Sequence, residues 1–103
     1  ETLSAGVVAG DVSNPNSWWV KLGGTIPLII QGGIDEKVPG NSSHWIDLPI
    51  EFPDTAFFCI GSKKDPFPGA INGNACGATE VTTTQIHTYS DDGGAAQWLA
   101  FGH

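Results

Sequence analysis

The groups in this 103-residue chain that could hold a metal or move a proton are 3 histidines, 11 carboxylates and 2 cysteines. His44, His87 and His103 contain no His-x-His or His-x-x-x-His pair, so residues close in sequence build no histidine metal site. Asp91-Asp92-Gly93-Gly94 sets two carboxylates side by side. It lacks the alternating oxygen ligands and closing Glu of a calcium loop, and reads as a solvated turn. Neither a metal nor a cofactor is expected. Cys59 sits in an apolar run and reads as a small buried hydrophobe, while pairing with Cys76 stays open in an oxidising compartment.

Catalysis finds little to work with. Glu36 with Asp35, or Glu51 with Asp54, are possible acid and base pairs, but adjacency in sequence does not set the roughly 5 to 9 Å separation that glycoside hydrolysis needs. No Gly-x-Ser-x-Gly elbow or other nucleophile motif is present. Solvation and the polar phase of strands account for the acids, and the expectation is a protein that is not an enzyme. The 4 tryptophans say more. Trp18 and Trp98 alternate with apolar strand positions and read as core. Trp19, Trp45, Phe67 and Tyr89 fall at strand ends, on polar phases or in loops, where a flat ring either stacks on the C–H face of a sugar or packs beneath a loop.

The elements that position these groups are strands. Ile46, Leu48, Ile50 and Phe52 alternate with Asp47, Pro49, Glu51 and Pro53, which predicts an extended strand with one apolar face. Pro53-Asp54 marks a turn, and Ala56 to Ile60 has the length and composition of a strand buried on both faces, so the two are expected to form a core hairpin. Pro49 lacks the N–H for a ladder and places its strand at a sheet edge that needs cover. Trp18 to Leu22 and Ile26 to Ile30 alternate around Gly23-Gly24, the pattern of a tight hairpin. Thr79 to Thr88 reads as one polar strand, partly buried or bulged, and Gln97 to Phe101 as the last. Glu1 to Ser17 reads as a connector. Gly32 to His44 and Ser62 to Gly77 read as long loops, the latter holding the turn pair Asn72-Gly73, and loops of that length are commonly functional.

Composition narrows the partners. No stretch keeps a 3.6-residue apolar period, and 14 Gly with 7 Pro make turns frequent, so the class is all-β. A net charge of −7 with 4 Lys and no Arg argues against nucleic acid and against an anionic membrane surface. Neither a membrane-length apolar run nor a signal-peptide pattern occurs. A chain that begins at Glu1 and has no Met reads as part of a longer polypeptide.

Three spaced signatures resemble those of the C-terminal tip domain of tailed-bacteriophage and prophage tail-fibre proteins. Pro27-Leu28-Ile29-Ile30-Gln31-Gly32-Gly33 is similar to Gly-Leu-Ile-Ile-Gln-Trp-Gly. Leu48-Pro49-Ile50-Glu51-Phe52-Pro53-Asp54 is similar to Phe-Pro-Ile-Ala-Phe-Pro-Asn, and Trp98-Leu99-Ala100-Phe101-Gly102-His103 to a terminal Trp-Ile-Ala-Ile-Gly-Tyr. Order and spacing match over Trp18 to His103. Gly32 and His103 each replace a ring of the family pattern.

The resemblance implies a small antiparallel β-sandwich, residues 18–103, that follows a connector from the fibre shaft at residues 1–17. It further implies a homotrimer at the fibre tip of a virion, made in the bacterial host cytoplasm, with no membrane insertion. A trimer would cover the edge at Pro49, add buried area, and bring three copies of one histidine to its axis, an arrangement that suits a transition metal but competes with plain surface or core roles. The implied function is receptor binding on a bacterial surface glycan, lipopolysaccharide or capsule, for host adsorption. A structural trimerisation and termination role is the alternative, and a depolymerase fragment the weakest reading. An assembly chaperone is a possible further partner. If strands simply run up and down, the two long loops share one end, and the glycan-binding candidates there are Asn41, Trp45, Lys63, Lys64, Asp65, Phe67, Asn72 and Asn74. The opposite end would offer Tyr89, Asp91 and Asp92.

Overall fold

The computed structural model describes residues 7–24, 27–38, 42–64, 76–90 and 94–103, and these form two packed antiparallel sheets. In chain order the strands are β1 (Val7–Asp11), β2 (Ser17–Leu22), β3 (Leu28–Val38), β4 (Ser42–Asp47), β5 (Ala56–Lys64), β6 (Cys76–Val81), β7 (Gln85–Ser90) and β8 (Gly94–Gly102). Sheet A has the order β1-β2-β3-β8-β5, and sheet B the order β4-β7-β6. The domain is all-β, as the residue patterns predict, and a sandwich, as the resemblance implies.

The hairpin between Trp18 and Ile30 forms as β2 and β3, with Leu22 opposite Leu28. Gly24, at φ 108°, supplies the left-handed conformation its turn needs. Residues 7–11, within the expected connector, form β1 and add a strand to sheet A by pairing with β2.

The expected core hairpin does not form. β4 ends at Asp47 and pairs with β7 in sheet B, whereas β5 pairs with β8 in sheet A. Residues 48–55 are the crossing between the sheets, and the apolar phase survives the change of structure: Leu48 and Phe52 are buried, with Ile46 and Ile50 packed against them. The crossing is held by bonds outside any ladder. Leu48 N–H donates to Thr84 O and Phe52 N–H to Thr83 O, while Thr55 and His103 exchange backbone bonds in both directions. At Ile50, both backbone groups go to the side chain of Gln31, so Pro49 interrupts no ladder.

Gly32 to His44 is not a loop. β3 runs on to Val38, paired with β2 and β8, and β4 begins at Ser42. Gly32 serves close packing here, not a turn: a Cβ on it would collide with the ring of Trp18 and come within 2.9 Å of Trp98 O. Ser62 to Gly77 is likewise shorter than expected, because β5 reaches Lys64 and β6 starts at Cys76. Thr79 to Thr88 is two strands. The Thr82 hydroxyl accepts from the N–H groups of Thr84 and Gln85 at 3.3 and 3.0 Å, and this side-chain turn reverses the chain between β6 and β7. Of the two expected departures from a regular strand, partial burial or a bulge, a register shift is present between Ala78 and Glu80.

That missed turn inverts the up-and-down count. With β7 running back, Ser90 lies opposite both Ser42 and Cys76, and Val38 lies opposite Gly94. The strand ends at Val38, Ser42, Lys64, Cys76, Ser90 and Gly94 therefore share one end of the sandwich. The expected separation of Tyr89 from the long-loop end does not hold.

The core between the sheets is Ile29, Leu48, Phe52, Ile86, Trp98 and Ala100, flanked by Ala56, Cys59, Ala78 and Val81. Trp98 is core as expected, at 5% exposed, whereas Trp18 is only half-buried. β5 also departs from the expectation of burial on both faces. Phe57, Phe58 and Ile60 are 53%, 51% and 53% exposed, because β5 is an edge strand whose outward face nothing in the described chain covers.

Candidate functional site

The two sheets turn unlike faces outward. On sheet A, side chains opposite the core follow from the register: Val20 and Leu22 on β2, Leu28, Ile30 and Ile34 on β3, Leu99 and Phe101 on β8, Phe58 and Ile60 on β5. Phe58 and Phe101 stack with centroids 4.7 Å apart. A groove of about 430 Å³ is lined by Trp18, Ile34, Ile60, Gln97 and Leu99 of this face. Phe58 and Ile60 are exposed on this face and its other apolar side chains half-buried, a surface of the kind that interaction sites carry.

Sheet B instead turns out a polar face. Trp45 on β4 and His87 on β7 are cross-strand partners whose rings lie 4.6 Å apart and 9° from parallel. His87 Nδ1 is 3.1 Å from Thr79 Oγ1 and 4.0 Å from Glu80 Oε1, and Gln85 Nε2 donates to Asp47 Oδ1 at 3.1 Å.

Between the sheets, near the shared strand ends, Asp35 of β3 takes two partners from sheet B. His44 Nε2 lies 2.5 Å from Asp35 Oδ2, and the Thr88 hydroxyl donates to the same oxygen at 2.9 Å. The carboxylate stands in the middle of the row: the Thr88 hydroxyl also reaches the His44 backbone carbonyl at 3.5 Å, but no bond joins it to the His44 imidazole. A histidine placed this way cannot activate the hydroxyl, so the trio ties the sheets together and is not a nucleophile triad. His103 Nδ1 pairs more loosely with Asp54, at 3.5 Å. Among the described residues no group of three or more His, Cys, Asp or Glu is placed to hold a metal ion, and no helix is long and apolar enough to cross a membrane.

Among the described residues two titrations are displaced. The hydroxyl and N–H of Ser13 both donate to the Asp11 carboxylate and lower its pKa. Burial, and then the charge of Glu80, raise the Cys59 thiol.

The candidates from the sequence scatter over this frame. Trp45 stands on the face of sheet B and is 40% exposed. Lys63 and Lys64 end the edge strand of sheet A, and Tyr89, opposite Ser43 and Gly77, lies near that same end. Asn41, Asp65, Phe67, Asn72, Asn74, Asp91 and Asp92 lie outside the described residues. Sequence reasoning passed over His87 and the Asp35–His44–Thr88 tie. The signal for His87 was its place one residue from Ile86 on the opposite phase of a strand, legible only once the turn at Thr82 is seen.

Comparison with known proteins places this sandwich. The chain superposes on an N-truncated R2-type pyocin tail fibre with a TM-score of 0.78 and 25% identity, over 99% of this chain and 40% of that one. On the C-terminal part of the P. aeruginosa R2 pyocin fibre the TM-score is 0.77 at 26% identity, over 99% and 28%. An N-truncated R1-type pyocin tail fibre shares the fold, with a TM-score of 0.71 at 20% identity. The chain thus spans well under half the length of the two R2 fibres. No curated protein sequence matches it. Residues 21–103 match the family model of the C-terminal domain of gp53-like tail fiber proteins, so the chain belongs to that family of tail-fibre C-terminal domains.

Proposed function

We propose that this domain is the receptor-binding tip of a phage or phage-like tail fibre, recognising a bacterial surface glycan such as lipopolysaccharide or capsule for host adsorption. The observation that carries the reading is the division of its outer faces. One sheet turns out an apolar surface suited to copies of itself, and the other a polar surface with an exposed tryptophan. A tip needs both: a self-association seam to build a homotrimer about the fibre axis, and an outward surface that meets sugar. In this reading the domain acts by binding alone. A single shallow sugar contact is weak, and three per tip with several fibres per particle raise avidity by roughly two to four orders of magnitude.

The test is competition. Purified chain, preincubated with cells that the parent particle adsorbs to, should block adsorption, and stripping or altering the surface polysaccharide should remove the block. Failure to bind cells of every such strain overturns the reading.

The apolar face of sheet A also favours a second reading, in which the domain registers and terminates the trimer while recognition resides elsewhere on the fibre. Exchanging residues 18–103 between two fibres separates the cases. A transferred host range supports the receptor role, and an unchanged one the structural role. The sequence candidates Asn41, Lys63, Lys64, Asp65, Phe67, Asn72 and Asn74, with Tyr89, Asp91 and Asp92, are further glycan-contact proposals, to be tested by single substitutions scored for adsorption and melting together.

A further inference from the structure

We propose that the open face of sheet B is itself a saccharide site, in which the free side of the Trp45 ring stacks on an uncharged or amino-bearing sugar. The proposal rests on the receptor-binding reading and moves its site from the loop end to the sheet face.

The geometry starts at the stacked pair. Trp45 lies parallel to His87 at 4.6 Å, so one side of the indole is covered, yet the residue keeps 40% exposure. That exposure must lie on the opposite side of the ring and along its edge. β4 is an edge strand of sheet B, and among the described residues no further strand stands beyond it in the sheet. The open side of the ring is therefore available to a flat ligand. The ring is also already oriented, because His87 is fixed by its Nδ1 contact with Thr79 Oγ1 at 3.1 Å, which lowers the entropy a ligand must cost.

Polar groups surround the ring in the manner sugar hydroxyls require. Gln85 occupies one oxygen of the Asp47 carboxylate, and among the described residues the other has no partner. The side chain of Glu80 is 65% exposed. Carboxylates and amides set beside an aromatic plane accept and donate to hydroxyls while the ring takes the C–H face.

Charge decides which sugar. β4, β6 and β7 contain Asp47 and Glu80 and no Lys or Arg. A phosphorylated or uronate sugar would meet like charge with no compensating Lys or Arg on these strands. Neutral hydroxyls, or an ammonium group, would meet acceptors.

The experiment is a glycan array of neutral, amino-substituted and anionic bacterial saccharides. It is probed with the purified chain and with Trp45→Ala, Trp45→Phe and Asp47→Lys, each first checked for an unchanged melting transition. Wild type should bind neutral or amino-substituted saccharides. Trp45→Ala should weaken that binding by about tenfold or more, as loss of a central aromatic contact does, and Trp45→Phe should restore much of it. Asp47→Lys should shift preference toward anionic saccharides, and it decides the matter if Trp45→Ala is unfolded. Binding confined to anionic saccharides overturns the proposal. So does binding that Trp45→Ala leaves unchanged, in which case the receptor reading stands and its site lies elsewhere. A wild-type chain that binds no saccharide on the array overturns both.

Discussion

Gln31 holds Ile50 by both of its backbone groups: the Gln31 amide donates to Ile50 O at 2.9 Å, and Ile50 N–H donates to Gln31 Oε1 at the same distance. A single fully buried side chain thus stands in for a strand exactly where Pro49 makes a ladder unworkable. Together with the backbone bonds at Leu48, Phe52 and Thr55, this pair holds the crossing from sheet B to sheet A, from which Leu48 and Phe52 enter the core.

Gln31→Leu keeps the volume and removes both bonds, leaving an N–H and a carbonyl in a poorly solvated place. The expected cost is about 2–4 kcal/mol, read as a lower urea midpoint. An unchanged midpoint would mean that water replaces the side chain.

Gly32 stands where the family pattern has a tryptophan, and the space above it is taken by the ring of Trp18 from the neighbouring strand. Gly32→Ala should therefore destabilise by about 1–3 kcal/mol through overpacking. In a Trp18→Ala background the same change should cost less, although the Trp98 carbonyl at 2.9 Å still resists the methyl. A double-mutant cycle by thermal melting measures the difference, and additivity would show that the ring does not rest on Gly32.

Strand identity was legible in this sequence wherever alternation was clean, as at Trp18 to Ile30 and at Trp98. The larger errors have physical causes. Gly32-Gly33 carries the usual signature of a turn, but here it permits a close approach between a strand and an aromatic ring. The Thr82 turn is made by a hydroxyl in a run of β-branched residues, so composition favours strand throughout. Alternation from Ile46 to Phe52 was real, but alternation records one-sided burial and not ladder pairing. The site suffered most, because the stacking of Trp45 on His87 depends on a register that follows from the overlooked turn.

Cys59 offers a titration test. Burial, followed by the Glu80 charge, places its folded pKa above the ordinary value of 9.0. The folded state thus favours the neutral thiol, and its contribution to stability is complete below the unfolded pKa and is lost as pH rises through the folded one. In a Cys76→Ser background, iodoacetamide at pH 8 should modify native protein more slowly than urea-unfolded protein, and Glu80→Gln should narrow the gap. Equal native and unfolded rates would refute the shift.

The apolar face of sheet A gives the last prediction. Phe58 and Ile60 are half exposed on an edge strand, and they share a face with Leu99 and Phe101 of the next strand. A lone domain gains nothing from such a surface, whereas copies packed about an axis bury it without needing any part of sheet B. Ile60→Glu places a charge in that seam but, on the free chain, simply points it into water. Its cost therefore falls on association and not on folding. Sedimentation equilibrium should find the wild type assembled and the variant's association weakened by at least about tenfold, since each buried unpaired charge is expensive and every subunit contributes one. The variant's far-ultraviolet spectrum should stay that of a β-sheet. A wild-type monomer at all accessible concentrations would remove the seam, and a variant that assembles normally would place it on another face.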